Sequence, residues 1–209
     1  MAQLVSVNIG TPTVQPGSSE LTGIVKVPRR GLVMIDAMGL LGDAVMDKKH
    51  HGGVDQAVYI YLASDYDWWM EELGAPLELG TFGENLTIAG IDGAGLAVGD
   101  RFEIGGVVLE LSCHRTPCAT FARRMQDPKW VRRFAKALRP GAYARVLATG
   151  VVEAGMPVLY RPFAGERFTL AEFMALNGER TIPEATMRRA LATPVHWKTR
   201  AEFEAALAR

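Results

Sequence analysis

The chain has 209 residues, in which 23 lysines and arginines balance 23 aspartates and glutamates, with four histidines and two cysteines. That length buries a real core and suits one β-rich domain with a small appendage, while zero net charge without a long basic run excludes a duplex-binding protein, so no nucleic-acid polymer is expected as a partner. Residues 1–7 lack the charged and apolar regions of a signal peptide, no stretch reaches the length of a membrane span, and two cysteines make no disulfide framework, so a cytoplasmic protein with free thiols and no membrane partner is expected.

Residues 3–9 alternate apolar and polar side chains, the pattern of a half-buried strand, and Gly10-Thr11-Pro12 closes it. A loop through Pro16-Gly17 leads to a second strand over residues 21–27, stopped by Pro28, with Lys26, Arg29 and Arg30 forming a small cationic cluster around that proline. Residues 31–45 are too broken by glycines and by Asp36 and Asp43 for a helix. The run Lys48-Lys49-His50-His51-Gly52-Gly53 is dense in cations and then turns on a glycine pair, so the backbone can approach a bound group. Val58 to Tyr61 reads as a strand, and Ser64 as the cap of a helix over residues 65–73 that ends at Gly74. Trp68 and Trp69 are assigned to the core face of that helix.

The organising stretch runs from Phe82 to Arg124. Gly99-Asp100 and Gly105-Gly106 flank Arg101-Phe102-Glu103-Ile104, which predicts hairpins. The strand that follows ends on Ser112-Cys113-His114-Arg115-Thr116-Pro117-Cys118, where proline stops the ladder and a thiol, an imidazole and a guanidinium are presented together. A helix is predicted over residues 129–138, strands over 142–147 and 151–160, and then a boundary at residues 164–165. Beyond it lie three short helices, capped by Thr169 with Glu172 in a capping box, by Pro183, and by Thr199.

Cys118 is either an ordinary buried cysteine or a functional thiolate; Arg115 and His114 nearby favour the anion, the form that binds soft metals or attacks an electrophile. Cys113 is assigned to packing, although its spacing from Cys118 also permits an oxidisable pair. His51 before the double glycine is either a solvated imidazole or a hydrogen-bond donor to an anion or oxo group. Glu84 and Asn85 either satisfy turn backbone or contact a heterocycle. The cysteines and histidines match no standard zinc spacing, and phosphate-loop, serine-elbow and dinucleotide motifs are absent from the sequence.

Taken together, His51-Gly52-Gly53-Val54-Asp55-Gln56-Ala57, Phe82-Gly83-Glu84-Asn85-Leu86, Val98-Gly99-Asp100 and the segment from Ser112 to Cys118 resemble MOSC-domain proteins, relatives of the C-terminal domain of molybdenum cofactor sulfurase. The likeness is nearest to the bacterial branch linked to hydroxylaminopurine resistance, which carries a three-helix tail. The resemblance implies a mainly β fold: a MOSC-type β-barrel with peripheral helices over residues 1–164 and a small three-helix subdomain over 165–209. It implies that the protein binds molybdenum cofactor, with Cys118 as catalytic residue and metal ligand. Arg115, with Lys26, Lys48 and Lys49 further out, would hold the cofactor phosphate; His51, Asp55 and Asn85 would line the pterin or substrate. The same resemblance carries a pyridoxal phosphate label. Two departures stand out: Gln56 where arginine is common, and Cys113-His114 where uncharged, non-thiol residues are usual.

The expected activity is reduction of N-hydroxylated bases or similar N-oxygenated small molecules, with electrons from an external reductase because two cysteines cannot hold an iron–sulfur cluster. The alternative is a cofactor carrier or sulfur-transfer module without turnover.

Overall fold

The computed structural model describes residues 1–47 and 51–209. Its strands are β1 (Gln3–Gly10), β2 (Thr13–Val14), β3 (Leu21–Thr22), β4 (Lys26–Pro28), β5 (Val33–Asp36), β6 (Gly39–Leu40), β7 (Val58–Leu62), β8 (Leu86–Ala89), β9 (Arg101–Ile104), β10 (Val107–Cys113), β11 (Ala142–Ala148), β12 (Gly150–Val152) and β13 (Leu159–Arg161). The helices are α1 (Ala63–Leu73), α2 (Ala119–Arg124), α3 (Trp130–Ala137), α4 (Leu170–Ala175), α5 (Glu184–Leu191) and α6 (Trp197–Leu207).

Eight strands form one mixed sheet in the order β13-β9-β10-β11-β7-β8-β1-β4, so the fold is mainly β. The pairs are antiparallel except β7 with β8, which run parallel because α1 carries the chain back between them. The β9–β10 hairpin turns on Gly105 and Gly106, both with positive φ (56° and 92°), the conformation that a two-residue primed turn demands. The expected closed barrel is not formed, since the ladder ends on β13 and β4. The start of β1, beyond the reach of β4, is nevertheless stitched to the segment before β13, where Leu4 N–H donates to Met156 O (2.9 Å), Gly155 N–H to Leu4 O (2.7 Å) and Val158 N–H to Ala2 O (3.0 Å).

The predicted strand over residues 21–27 divides into β3 and β4, and residues 33–40 pair as a hairpin that their glycines had concealed. The core is rich in rings: Phe82 stacks on Tyr61 (4.4 Å between centroids) and meets the edge of Phe121, while Trp69 packs on Trp130 at 4.7 Å. Each such side chain contributes about 2–3 kcal/mol by leaving water. Because Phe121 lies in α2, the cluster clamps that helix, and with it Cys118, against the sheet.

At the C-terminus the capping box forms as read, with Glu172 N–H donating to Thr169 Oγ1 at 3.1 Å. Helix α6 begins at Trp197 rather than after Thr199, because His196 Nδ1 accepts the Lys198 N–H (3.1 Å) and is the real cap. Phe168, Phe173, Val195 and Phe203 join the same hydrophobic core as the sheet. Fully buried Asp100 accepts from Tyr160 Oη (2.7 Å), the Phe163 N–H (2.8 Å) and Arg167, fastening the segment before α4 to the end of the β9 approach. Among the described residues, no helix is long and apolar enough to cross a membrane.

Candidate functional site: a thiolate cavity

Strand β10 ends at Cys113, and Pro117 prevents further pairing, so Cys118 falls at the N-cap of α2 with extended backbone (φ −135°, ψ 172°). There the sulfur meets the backbone N–H of Phe121, one of the groups a helix start leaves without an intrahelical partner. Burial alone would push this thiol up; it is outweighed by a hydrogen bond from the His51 side chain, the Arg115 charge and the Phe121 N–H, which bring Cys118 down to about 7. A large fraction is therefore thiolate at neutral pH.

The sulfur lines a cavity of about 470 Å³ whose walls include Lys26, Asp43, His51, Gln56, Asn85, Arg115, Tyr59 and Tyr143. Arg115 is 4% exposed, with its guanidinium carbon 3.9 Å from the Phe121 ring centroid and 5.5 Å from that of Tyr59. Its Nε and Nη1 have no hydrogen-bond partner among the described residues. A buried guanidinium held by aromatic faces with donors to spare is prepared for an anion.

Lys26 is placed differently from the expectation of a phosphate contact. It is buried and ion-paired to Asp43, which also accepts from Asn85 Nδ2 (2.8 Å) and the Gly10 N–H (2.7 Å). Burial lowers the Lys26 ammonium, against the pull of Asp43 and Glu84. Asn85 satisfies backbone, its Oδ1 accepting the Tyr59 N–H (3.1 Å), and the residue also lines the cavity. Glu84, fully buried, accepts from Tyr66 Oη (2.6 Å), the Gly80 N–H (2.8 Å) and Thr87 Oγ1 (2.8 Å), and so serves the turn.

Two assignments need correction. Asp55 does not line the cavity: its carboxylate accepts from Arg145 Nε (2.9 Å) and from the Trp197 N–H (2.8 Å), tying the segment before β7 to α6. His114 does not serve Cys118 either. It stacks on Phe173 at 4.6 Å, and Asn177 Nδ2 lies 3.1 Å from its Nε2; burial pushes its pKa down to about 3, leaving a neutral ring. Cys113 lines an adjoining cavity beside His114, and burial pushes it up to about 12, so of the two sulfurs Cys118 is the one disposed to ionise. Lys48 and Lys49 lie outside the described residues. The reading from sequence missed Asp43, Tyr59, Tyr143 and Arg123; only Arg123, on the helix that Cys118 caps, carried a local signal, being five positions beyond the thiol.

A mixed sheet that presents a helix-capping cysteine beside a buried arginine with unpaired donors defines the candidate site. Residues 47–159 match the MOSC domain, and the chain belongs to the MOSC-domain family. It is 36% identical over 154 residues to the uncharacterised Bacillus subtilis protein YflK, covering 73% of this chain and 70% of that one. It is 33% identical over 153 residues to a Gibberella moniliformis protein named "Reductase", of which the match spans only 27% while covering 70% of this chain. Escherichia coli YiiM is 30% identical over 140 residues, 66% of this chain and 62% of that protein. The crystal structure of YiiM from Geobacillus stearothermophilus superposes with a TM-score of 0.81 at 25% identity, over 99% of this chain and 100% of that one. The chain is thus YiiM-like in sequence and fold.

Proposed function

We propose that this protein holds molybdenum cofactor in the Cys118 cavity and reduces N-hydroxylated bases or related N-oxygenated compounds, as the hydroxylaminopurine-resistance branch of its family would. The observation that carries the reading is a thiolate-prone sulfur beside a buried guanidinium with unpaired donors. The residues fit the group: a soft thiolate suits molybdenum, and the Arg115 fork suits a phosphate. When bound, the cofactor supplies a two-electron centre able to accept an oxygen atom. His51 fixes the sulfur as an anion and carries a ring proton at the cavity wall, while Tyr59 and Tyr143, with ring centroids 5.0 Å apart, form an aromatic side wall. Reduction of an N-hydroxyl group consumes two electrons and two protons and releases water, so an external reductase is the required partner. A relative named as a reductase supports that direction. Pyridoxal phosphate fits less well, because the cavity lysine among the described residues is committed to Asp43.

The test compares wild type with Cys118→Ser, purified from a host that makes the cofactor. Elemental analysis should find molybdenum in the first and not the second, and wild type should reduce N-hydroxylaminopurine with a surrogate electron donor. Equal molybdenum in both proteins contradicts the ligand assignment. Molybdenum without turnover identifies a carrier or sulfur-transfer module instead.

A further inference from the structure

Next to the thiol cavity, and sharing Ala119 and Arg123 with it, lies a larger groove of about 790 Å³ between the β2–β3 hairpin and helices α2 and α3. Its walls are largely apolar, among them Val14, Pro16, Pro128 and Val131. Arg123 and Arg124, in the last turn of α2, each present an Nε that is shut off from solvent and has no partner among the described residues. Gln15, only 5% exposed, leaves its side-chain oxygen unpaired in the same way. The groove's carboxylate, Asp127, does not neutralise the arginine pair, because it is occupied by the Lys129 N–H (2.8 Å) and Arg133 Nη1 (3.1 Å).

Desolvated guanidinium donors without acceptors are costly, and an anionic oxygen recovers that cost. A bare inorganic anion would leave the apolar walls facing water, and a neutral apolar molecule would leave the Nε of both arginines unpaired, Arg123 keeping only its Nη2 bond to Thr120 Oγ1 (3.3 Å). We propose that the groove is a second binding site, for an organic anion with an apolar body. Its rings or chain lie against Val14, Pro128 and Val131, its acidic group accepts from Arg123 and Arg124, and a hydroxyl or amine on it donates to Gln15. None of Cys118, Arg115 and His51 is needed for this, so the site stands apart from the molybdenum reading.

The probe is 8-anilinonaphthalene-1-sulfonate, titrated by fluorescence into the metal-free full chain. One saturable site is expected, with affinity weakened about ten-fold or more by Arg124→Gln and by Val131→Glu, and unchanged by Cys118→Ser. Millimolar inorganic phosphate should not displace the dye. Val131 is 37% exposed and Val14 50%, so Val14→Glu gives a second disruption should Val131→Glu alter the thermal midpoint. Dye binding indifferent to both glutamate variants and to Arg124→Gln is adventitious and overturns the proposal. Loss of binding in Cys118→Ser overturns it too, by assigning the signal to the thiol cavity.

Discussion

Alkylation of the metal-free protein tests the electrostatics of the thiol cavity directly. A thiol brought down to about 7 is about half ionised at pH 7, whereas one at its ordinary value of 9.0 is roughly 1% ionised. The gain in thiolate is about fifty-fold. Nucleophilicity falls with basicity, however, and a Brønsted slope of about 0.5 over about two units removes roughly ten-fold, so the net rate advantage at pH 7 is only about five-fold. The midpoint of the pH profile is therefore the sharper readout. With iodoacetamide, wild type should show a midpoint near 7, and His51→Ala should raise it by removing the hydrogen bond that does most to hold the anion. Cys113, held at about 12, should stay silent below pH 9, so Cys118→Ser should be nearly inert. A wild-type midpoint near 9, no change in His51→Ala, or two fast thiols would refute the reasoning.

The other predictions concern stability. His114 stays neutral in the fold down to a pKa of about 3 but takes a proton near 6.5 when unfolded, so the unfolded chain binds more protons between those values. Stability should thus fall as pH drops below about 6.5, by up to about 1.4 kcal/mol per unit, with His196 shifted the same way; urea midpoints at pH 7.5 and 5 should converge in His114→Phe. Asp55→Ala leaves Arg145 with Glu110 alone and strands the Trp197 N–H, and should cost about 1–3 kcal/mol in thermal unfolding, while leaving the alkylation midpoint of Cys118 in place. Gly141 has φ +63°, and a Cβ there would sit 2.6 Å from Ile60 O between β7 and β11; Gly141→Ala should lower stability by more than about 2 kcal/mol by the same measurement.

The strands that announced themselves did so through alternation and turn chemistry, as in residues 3–9 and at Gly105-Gly106, where local rules and tertiary structure agree. Residues 33–40 were hidden because Met38 and Leu41 stay exposed and Gly39 breaks the period; their pairing is set by contacts with β12, far along the chain. The site divides similarly. Cys118, Arg115 and Asn85, which the motifs singled out, line one cavity, but the histidine beside the sulfur is His51 and not His114. Side chains at successive extended positions leave opposite sides of the chain, so His114 is carried to Phe173 while Arg115 faces the cavity. Asp43 was illegible because its importance comes from Lys26, Asn85 and Gly10, three partners from three separate elements.

The stitching of the sheet edges has a cost during synthesis. Gln3 and Gly155, joined by a side-chain hydrogen bond at 3.0 Å, are 152 positions apart, so while β4 soon covers Asn8 to Gly10, the start of the first strand keeps one flank bare at residues 2–4 until Val158 has emerged. A nascent chain stalled short of that point offers an open row of amides and carbonyls to any neighbour in the same condition, and β1 exchanged between two such chains is the natural first step of their co-aggregation.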